Sequence, residues 1–229
     1  MQRLEQEGRD CVACGVWESF ECQAGDGKRA SQPSWCDAPA VDWLMKARGG
    51  GGKMPTGSWL TPRSIIERAG PWDESLPGNP DDDGEFFSRV VLASRKVLFC
   101  GDSVYYYRSA MGGLNLRQAT RSDCAAHSLL VTQRIYEQRL IGVENSLRAR
   151  QVAAHGYASF LEQVYPEFPD YCAEAVASIK RLNVPRYPPP GGKKFALIVR
   201  HLGLIRTLSA RERLRKLLGR PLMSRFSFH

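Results

Sequence analysis

The chain has no long apolar run. Its longest uninterrupted stretch, Phe195–Val199, covers five residues, against roughly 20 for a membrane-crossing helix, so no spanning segment is expected. The opening MQRLEQEGRD has no apolar core, which argues against a secretory signal. Seven cysteines, at 11, 14, 22, 36, 100, 124 and 172, are an odd number without an export signal. Free thiols in a reducing, cytoplasmic compartment are expected rather than a disulfide scaffold. A zinc motif is lacking too. Cys11-Val-Ala-Cys14 is the one CxxC pair, Cys22 and Cys36 follow at unmatched spacings, and Cys11–Val16 reads as a strand carrying small core thiols. A phosphate loop is absent. The run Gly49–Lys53 continues with Met54-Pro55 where a hydroxyl residue would be needed to reach Mg2+, so it reads as a mobile flap or linker. His155 and His201 have no acid or cysteine at ligand spacing. His127 shares a helical register with Val131 and Ile135, which predicts a part-buried core position.

What is present is a near-neutral body with a basic tail. The 229 residues are 43% hydrophobic and 24% charged, which suits one or two packed domains and not a disordered chain. Residues 193–229 hold ten Lys/Arg and one acid, Glu212, for a charge of +9. The first 192 residues hold 22 basic and 23 acidic residues. The pI near 9.3 therefore describes the tail. The body's basic residues are scattered among acids, so nucleic acid is not the favoured partner. The tail favours an anionic lipid surface or acidic partners, with peripheral membrane contact the leading expectation.

Along the chain, Arg3–Glu7 reads as a helix end closed by Gly8, and residues 10–20 as a strand. A polar loop follows over 23–42, then a short helical stretch over Val41–Ala47. Thr61-Pro62 predicts a helix start with a hydroxyl at the N-cap, ended by Gly70. After a turn-rich loop, Asp81-Asp82-Asp83-Gly84-Glu85 opens a helix with Phe86/Val90 and Phe87/Val91 pairs. Val97–Cys100 and Val104–Tyr107 read as two short strands joined by Gly101-Asp102-Ser103. Beyond Gly112-Gly113, residues 122–141, 144–164 and 169–183 are expected to be helical, the second with a stripe of Leu147, Gln151, Ala154, Ala158 and Leu161. Pro185–Gly192 is a stiff-then-flexible linker. The tail carries an apolar segment at 195–205 and a capping-box helix from Ser209 to Glu212 onward.

The acidic triplet is the most informative stretch. Three consecutive carboxylates repel one another, and a helix N-terminus offsets part of that cost. One reading is N-capping on a solvated face. The other is a fixed carboxylate at a cleft mouth, able to take a proton from a hydroxyl.

The stretch Gly57–Arg108 resembles the second half of a family 2 glycosyltransferase of the GT-A fold. The resemblance rests on Ala69-Gly70-Pro71-Trp72-Asp73-Glu74, on the acidic pair Asp82-Asp83, on Glu85-Phe86-Phe87-Ser88-Arg89, and on the closing Val104-Tyr105-Tyr106-Tyr107-Arg108. Looser similarity extends back to Cys11–Trp17 and forward through Tyr165–Asp170. It implies inverting transfer of a sugar from a nucleotide-sugar donor to a glycan or lipid acceptor. Asp83 would be the general base. Asp82, Trp59, Trp72 and Glu85 would form the acceptor side, core packing being the alternative for each tryptophan. Arg108 would close the diphosphate side or make a structural salt bridge, and Arg89 would be structural. The family's Mg2+ or Mn2+ is expected for a full-length member, but a DxD at the end of a buried strand is missing here. Asp81-x-Asp83 follows Pro77-Gly-Asn-Pro80 and occupies the base position.

The expected fold is therefore α/β, a partial GT-A (Rossmann-like) mixed sheet with appended C-terminal helices. Residues 1–112 would form the acceptor half of the transferase domain, 113–184 a helical extension, 185–192 a linker, and 193–229 a basic amphipathic tail. Such a truncated domain is expected to be inactive alone, and its open sheet edge would favour aggregation. A non-catalytic glycan-binding or regulatory module is the alternative, and an inert body acting through its tail is a third. The reading frame upstream of Met1 separates the first two. Salt dependence and deletion of 193–229 test the third.

Overall fold

Cys11–Phe20 (β1) is almost continuously buried, as expected of a strand covered on both faces. The computed structural model describes residues 2–20, 22–27, 31–52, 55–108 and 122–218. Lys53, Gly112-Gly113 and the end of the tail beyond residue 218 lie outside these described residues. The fold is mixed α/β. A four-stranded sheet has β1 at its centre, parallel to Lys96–Arg108 (β4). The two-residue strands Ala38–Pro39 (β2) and Trp59–Leu60 (β3) pair antiparallel, and the order is β2-β4-β1-β3.

β4 is one 13-residue strand, not two short ones. Its register on β1 jumps from Gly15↔Cys100 to Val16↔Val104, so Gly101-Asp102-Ser103 bulge out while the ladder resumes. The sequence looks like a turn there because bulges and turns use the same residues. Gly15 permits the close approach, since a Cβ there would lie 2.5 Å from the Ser103 carbonyl oxygen.

The even-numbered face of β1, with Val12 and Cys14, packs beside Val97 against Ala40–Lys46 (α2), Arg63–Ala69 (α3) and Asp82–Leu92 (α4). Trp43, Leu44, Ile65, Val90 and Val91 fill that core. The odd face, with Cys11, Ala13 and Leu98, is closed by Leu4 of Gln2–Glu7 (α1). Cys11 and Cys14 thus point to opposite faces and cannot form a CxxC site. All seven cysteines are free. α3 starts one residue later than expected, with Pro62 at the N-cap, while the Thr61 hydroxyl is buried without a hydrogen-bond partner.

Three helices follow, Asp123–Val143 (α5), Leu147–Val164 (α6) and Pro169–Leu182 (α7). Ser122 and Ser146 cap the first two, accepting from Ala125 N at 3.1 Å and Ala149 N at 3.2 Å. Ala154, Ala158 and Leu161 are buried as the stripe predicts, but Leu147 is exposed in the first turn. His127 is exposed rather than in the core, and lies against Tyr171. Leu140 and Ala149 join the core of α2 and α4, while most other buried apolar residues of α5 and α6 form a second core with α7. The proline segment 185–192 runs along α6. Gln151 donates to Arg186 O at 2.8 Å, His155 Nδ1 lies 2.7 Å from Pro188 O, and Pro190 is buried. The tail folds as Lys193–Leu202 (α8) and Leu204–Leu217 (α9), broken at Gly203 with φ +81°. There is no helix start at Ser209, whose hydroxyl pairs with Tyr165 instead.

Candidate functional site

α4 carries the acidic triplet at its start, and its three carboxylates have three different surroundings. Asp81 is the N-cap residue by position, yet its side chain caps nothing. Its Oδ2 takes Arg48 Nη1 at 2.9 Å and the Tyr136 hydroxyl at 2.9 Å. Arg48 also bonds the Tyr136 oxygen and lies 3.8 Å over that ring. Burial works against the Arg48 cation, but Asp81 outweighs it and holds the guanidinium firmly protonated. Arg48 belongs to the irregular turn Ala47–Gly51 after α2, and Tyr136 to α5. Asn79 adds a bond from its side chain to Thr132 Oγ1 at 3.0 Å. The helical region therefore fixes the acidic loop directly.

Asp82 is exposed, and its Oδ1 accepts from Asp83 N at 2.7 Å. Asp83 is half-buried and has no ion-pair partner among the described residues. Its Oδ1 accepts from Gly84 N at 2.7 Å and its Oδ2 lies 3.4 Å from Thr56 Oγ1. Burial, and then the negative charge of Asp81, push the Asp83 carboxyl above the ordinary aspartate range against the opposing Gly84 N–H.

Two residues along, Glu85 points inward and is 1% exposed. Arg89 reaches it through Nε and Nη2 at 3.1 and 2.9 Å, and Arg139 of α5 through Nη2 at 2.5 Å. Burial raises its pKa, and these bonds reverse that to a net lowering. Both oxygens are taken by arginines, so Glu85 anchors the fold and presents nothing to an acceptor. Arg89 is structural as expected, with Nη1 also on Ala69 O at 2.5 Å.

The aromatic residues form a relay on the same helix. Trp72 stacks on Phe86 at 4.4 Å, Phe86 meets Phe87 edge-on, and Phe87 stacks on Trp59 at 5.0 Å. Trp72 is 41% exposed and offers its outer surface to solvent. Trp59 is packed between Phe87 and Trp43, and its indole N–H is buried without a partner. Trp59 is thus mainly a packing residue, while Trp72 is free to meet a ligand. Tyr105 of β4 packs on Gly57, beside the Thr56 that reaches Asp83. Three residues further, Arg108 is exposed and lies 5.2 Å over the Phe20 ring, with no salt bridge among the described residues.

The structure thus gathers Asp82, Asp83 and Trp72 about the first half of α4, leaves Arg108 at the far end of β4, and removes Glu85 into the interior. A cavity of about 550 Å3 lies elsewhere, lined by Asp42, Lys46, Arg148 and Gln151 among others, and none of the six nominated residues lines it. The triplet does not fit a divalent cation. Asp81 is held by Arg48 and Tyr136, Asp82 and Asp83 accept backbone N–H bonds, and no metal-holding group of three acid, His or Cys side chains occurs among the described residues. Sequence reasoning missed Arg48, Tyr136 and Arg139. They lie 33, 55 and 54 residues from the acids they hold, and no local pattern links such pairs. No family model, curated protein or solved structure matches the chain.

Proposed function

We propose that this chain carries the acceptor-side half of an inverting, family 2-like glycosyltransferase. Asp83 takes the proton from an acceptor hydroxyl while that oxygen bonds to the anomeric carbon of a nucleotide-linked sugar, and the bond from that carbon to the diphosphate oxygen breaks. The observation that supports it best is the state of Asp83. It is the one acid of three that is half-buried, unpaired with a cation, and pushed toward protonation. A base is most effective when its pKa lies near the working pH, so this shift is in the useful direction. Asp82 stands beside it in solvent, and Trp72 offers a flat apolar surface of the kind a sugar ring stacks on. Arg108, exposed and with no carboxylate partner among the described residues, is available to phosphate oxygens. No step is assigned to a metal ion, because the residues described do not form a site for one.

Saturation-transfer NMR against a panel of oligosaccharides and glycolipids tests the acceptor site. Binding should weaken in Trp72→Ala and persist in Asp83→Asn, which keeps the shape of the carboxylate. Failure of every glycan to bind, or equal binding by Trp72→Ala, overturns the reading. The half-domain reading further expects no product from sugar nucleotides with Mg2+ or Mn2+ when the chain acts alone. Product formed alone and lost in Asp83→Asn would keep the base and overturn the half-domain assignment.

A further inference from the structure

The two C-terminal helices are apolar on more than one side. α8 sets Phe195 and Val199, one turn apart, into the core of α5–α7, and α9 adds Leu204 and Leu208 to the same core. Arg211 locks the arrangement by pairing with Glu162 at 2.5 Å and lying 5.1 Å over Phe195. One inward stripe is all that docking requires. Yet α8 carries a second stripe, Lys194, Leu197, Ile198, His201 and Leu202, with helical spacing and fully outside. Leu197 and Leu202 are 57% and 51% exposed, and on α9 Leu214 and Leu217 are 57% and 83% exposed. Because both inner stripes sit on one core, both outer stripes face away from it.

Charge decides what covers this surface. Lys193, Lys194, Arg200, Arg206, Arg213 and Lys216 have no carboxylate partner among the described residues, and the one acid of the two helices, Glu212, lies 3.5 Å from Arg215. A second copy of the chain would bring two cationic faces together. A nucleic-acid strand would find cations but aliphatic side chains in place of stacking aromatics. An anionic bilayer surface matches both features. Leu and Ile enter the boundary of the acyl chains, and Lys and Arg stems reach back to the headgroups. No helix is long and apolar enough to cross the membrane among the described residues. We infer that the outer face of α8–α9 is a docking surface for an anionic lipid bilayer, on which the two helices lie flat.

The surface owes nothing to the Asp83 site, so vesicle binding tests it separately from sugar transfer. The full chain is floated with vesicles of phosphatidylcholine alone and with one third phosphatidylglycerol. It should partition onto the anionic vesicles, and added NaCl should weaken this. Arg206→Glu with Arg213→Glu should lower partitioning by roughly fivefold or more per residue. Leu197→Glu with Leu202→Glu should abolish it with an unchanged circular dichroism spectrum, both positions being exposed. The inference is overturned by no binding, by equal binding to neutral vesicles, or by undiminished binding of the leucine variant. A dimer seen by light scattering and dissociated by the leucine variant would assign the face to a second copy and overturn it equally.

Discussion

Glu85→Ala is the sharpest test of how the site is held. The carboxylate is buried between Arg89 on its own helix and Arg139 on α5. Arg139 also donates to Ser88 Oγ at 2.9 Å, and Arg89 to Ala69 O at the end of α3. Removing the acid leaves two guanidinium groups without their counter-charge and cuts the carboxylate link between α4 and α5, while the Arg89–Ala69 and Arg139–Ser88 bonds remain. Breaking a buried pair from one side costs about 3–5 kcal/mol. Here both arginines are part-exposed and regain some hydration, so about 2–3 kcal/mol is expected. At about 2–4 °C per kcal/mol for a chain of this size, Tm should fall by roughly 5–10 °C. The assay is urea unfolding followed by circular dichroism at pH 7, with an unchanged m-value as the sign that only stability moved. The pH dependence adds a second constraint. The folded carboxyl titrates below its ordinary value, so its contribution is complete above the ordinary glutamate range and disappears as pH falls through the lower, folded value. Wild type and Glu85→Ala should therefore converge in acid. A loss under about 0.5 kcal/mol at pH 7, the usual effect of a surface substitution, would refute the clamp. So would a difference that persists unchanged into acid.

Asp83→Asn should stabilise the fold by about 0.5–2 kcal/mol at pH 7, because it removes a half-buried charge that stands beside Asp81. Its raised pKa means that the fold loses stability as pH rises from the ordinary aspartate range through the folded value. Urea melts should show the gain vanishing in acid, and a destabilised Asp83→Asn would contradict the account. Asp81→Asn should act in the opposite direction, by about 1–3 kcal/mol, since it weakens the partner of a part-buried arginine. Burial pushes the His155 imidazole below its ordinary pKa despite its bond to Pro188 O. Stability should thus fall as pH drops below the ordinary histidine value, and His155→Phe should flatten that slope. An aromatic disulfide reagent should label Cys22 and Cys124 at once in the native protein. Cys11, Cys14 and Cys172 should react only after unfolding, with Cys14 pushed up to about 12 by burial. Rapid native labelling of Cys14 would contradict its place in the core.

Legibility in the sequence follows the range of the forces involved. β1 and α4 were readable because period and apolar pairing act within a few residues. The continuity of β4 was not, because the bulge at Gly101-Asp102-Ser103 is held by pairing to β1, some 85 residues earlier. The packed course of Pro185–Gly192 was hidden for the same reason, since its partners Gln151 and His155 lie on α6. The break at Gly203, inside the apolar segment 195–205, was not readable, nor was the absence of a helix start at Ser209. The break lets Phe195 and Leu204 both turn into one core.

The acidic triplet shows how neighbours of one residue type come to differ. The macrodipole of α4 favours all three carboxylates alike, so it cannot select among them. Selection comes from what folds against the loop. Arg48 and Tyr136 hold Asp81, solvent surrounds Asp82, and Asp83 receives burial and the field of Asp81 without a cation of its own. Pairing Asp81 also fixes its negative charge close to Asp83, which raises the proton affinity of that half-buried acid. The Arg48–Asp81–Tyr136 contact and the basicity of Asp83 are therefore two parts of one arrangement. Loosening Asp81 with Tyr136→Phe should alter the titration of Asp83, observable by carboxyl NMR. If Asp83 titrates identically in that variant, the loop is a charged turn whose members do not communicate.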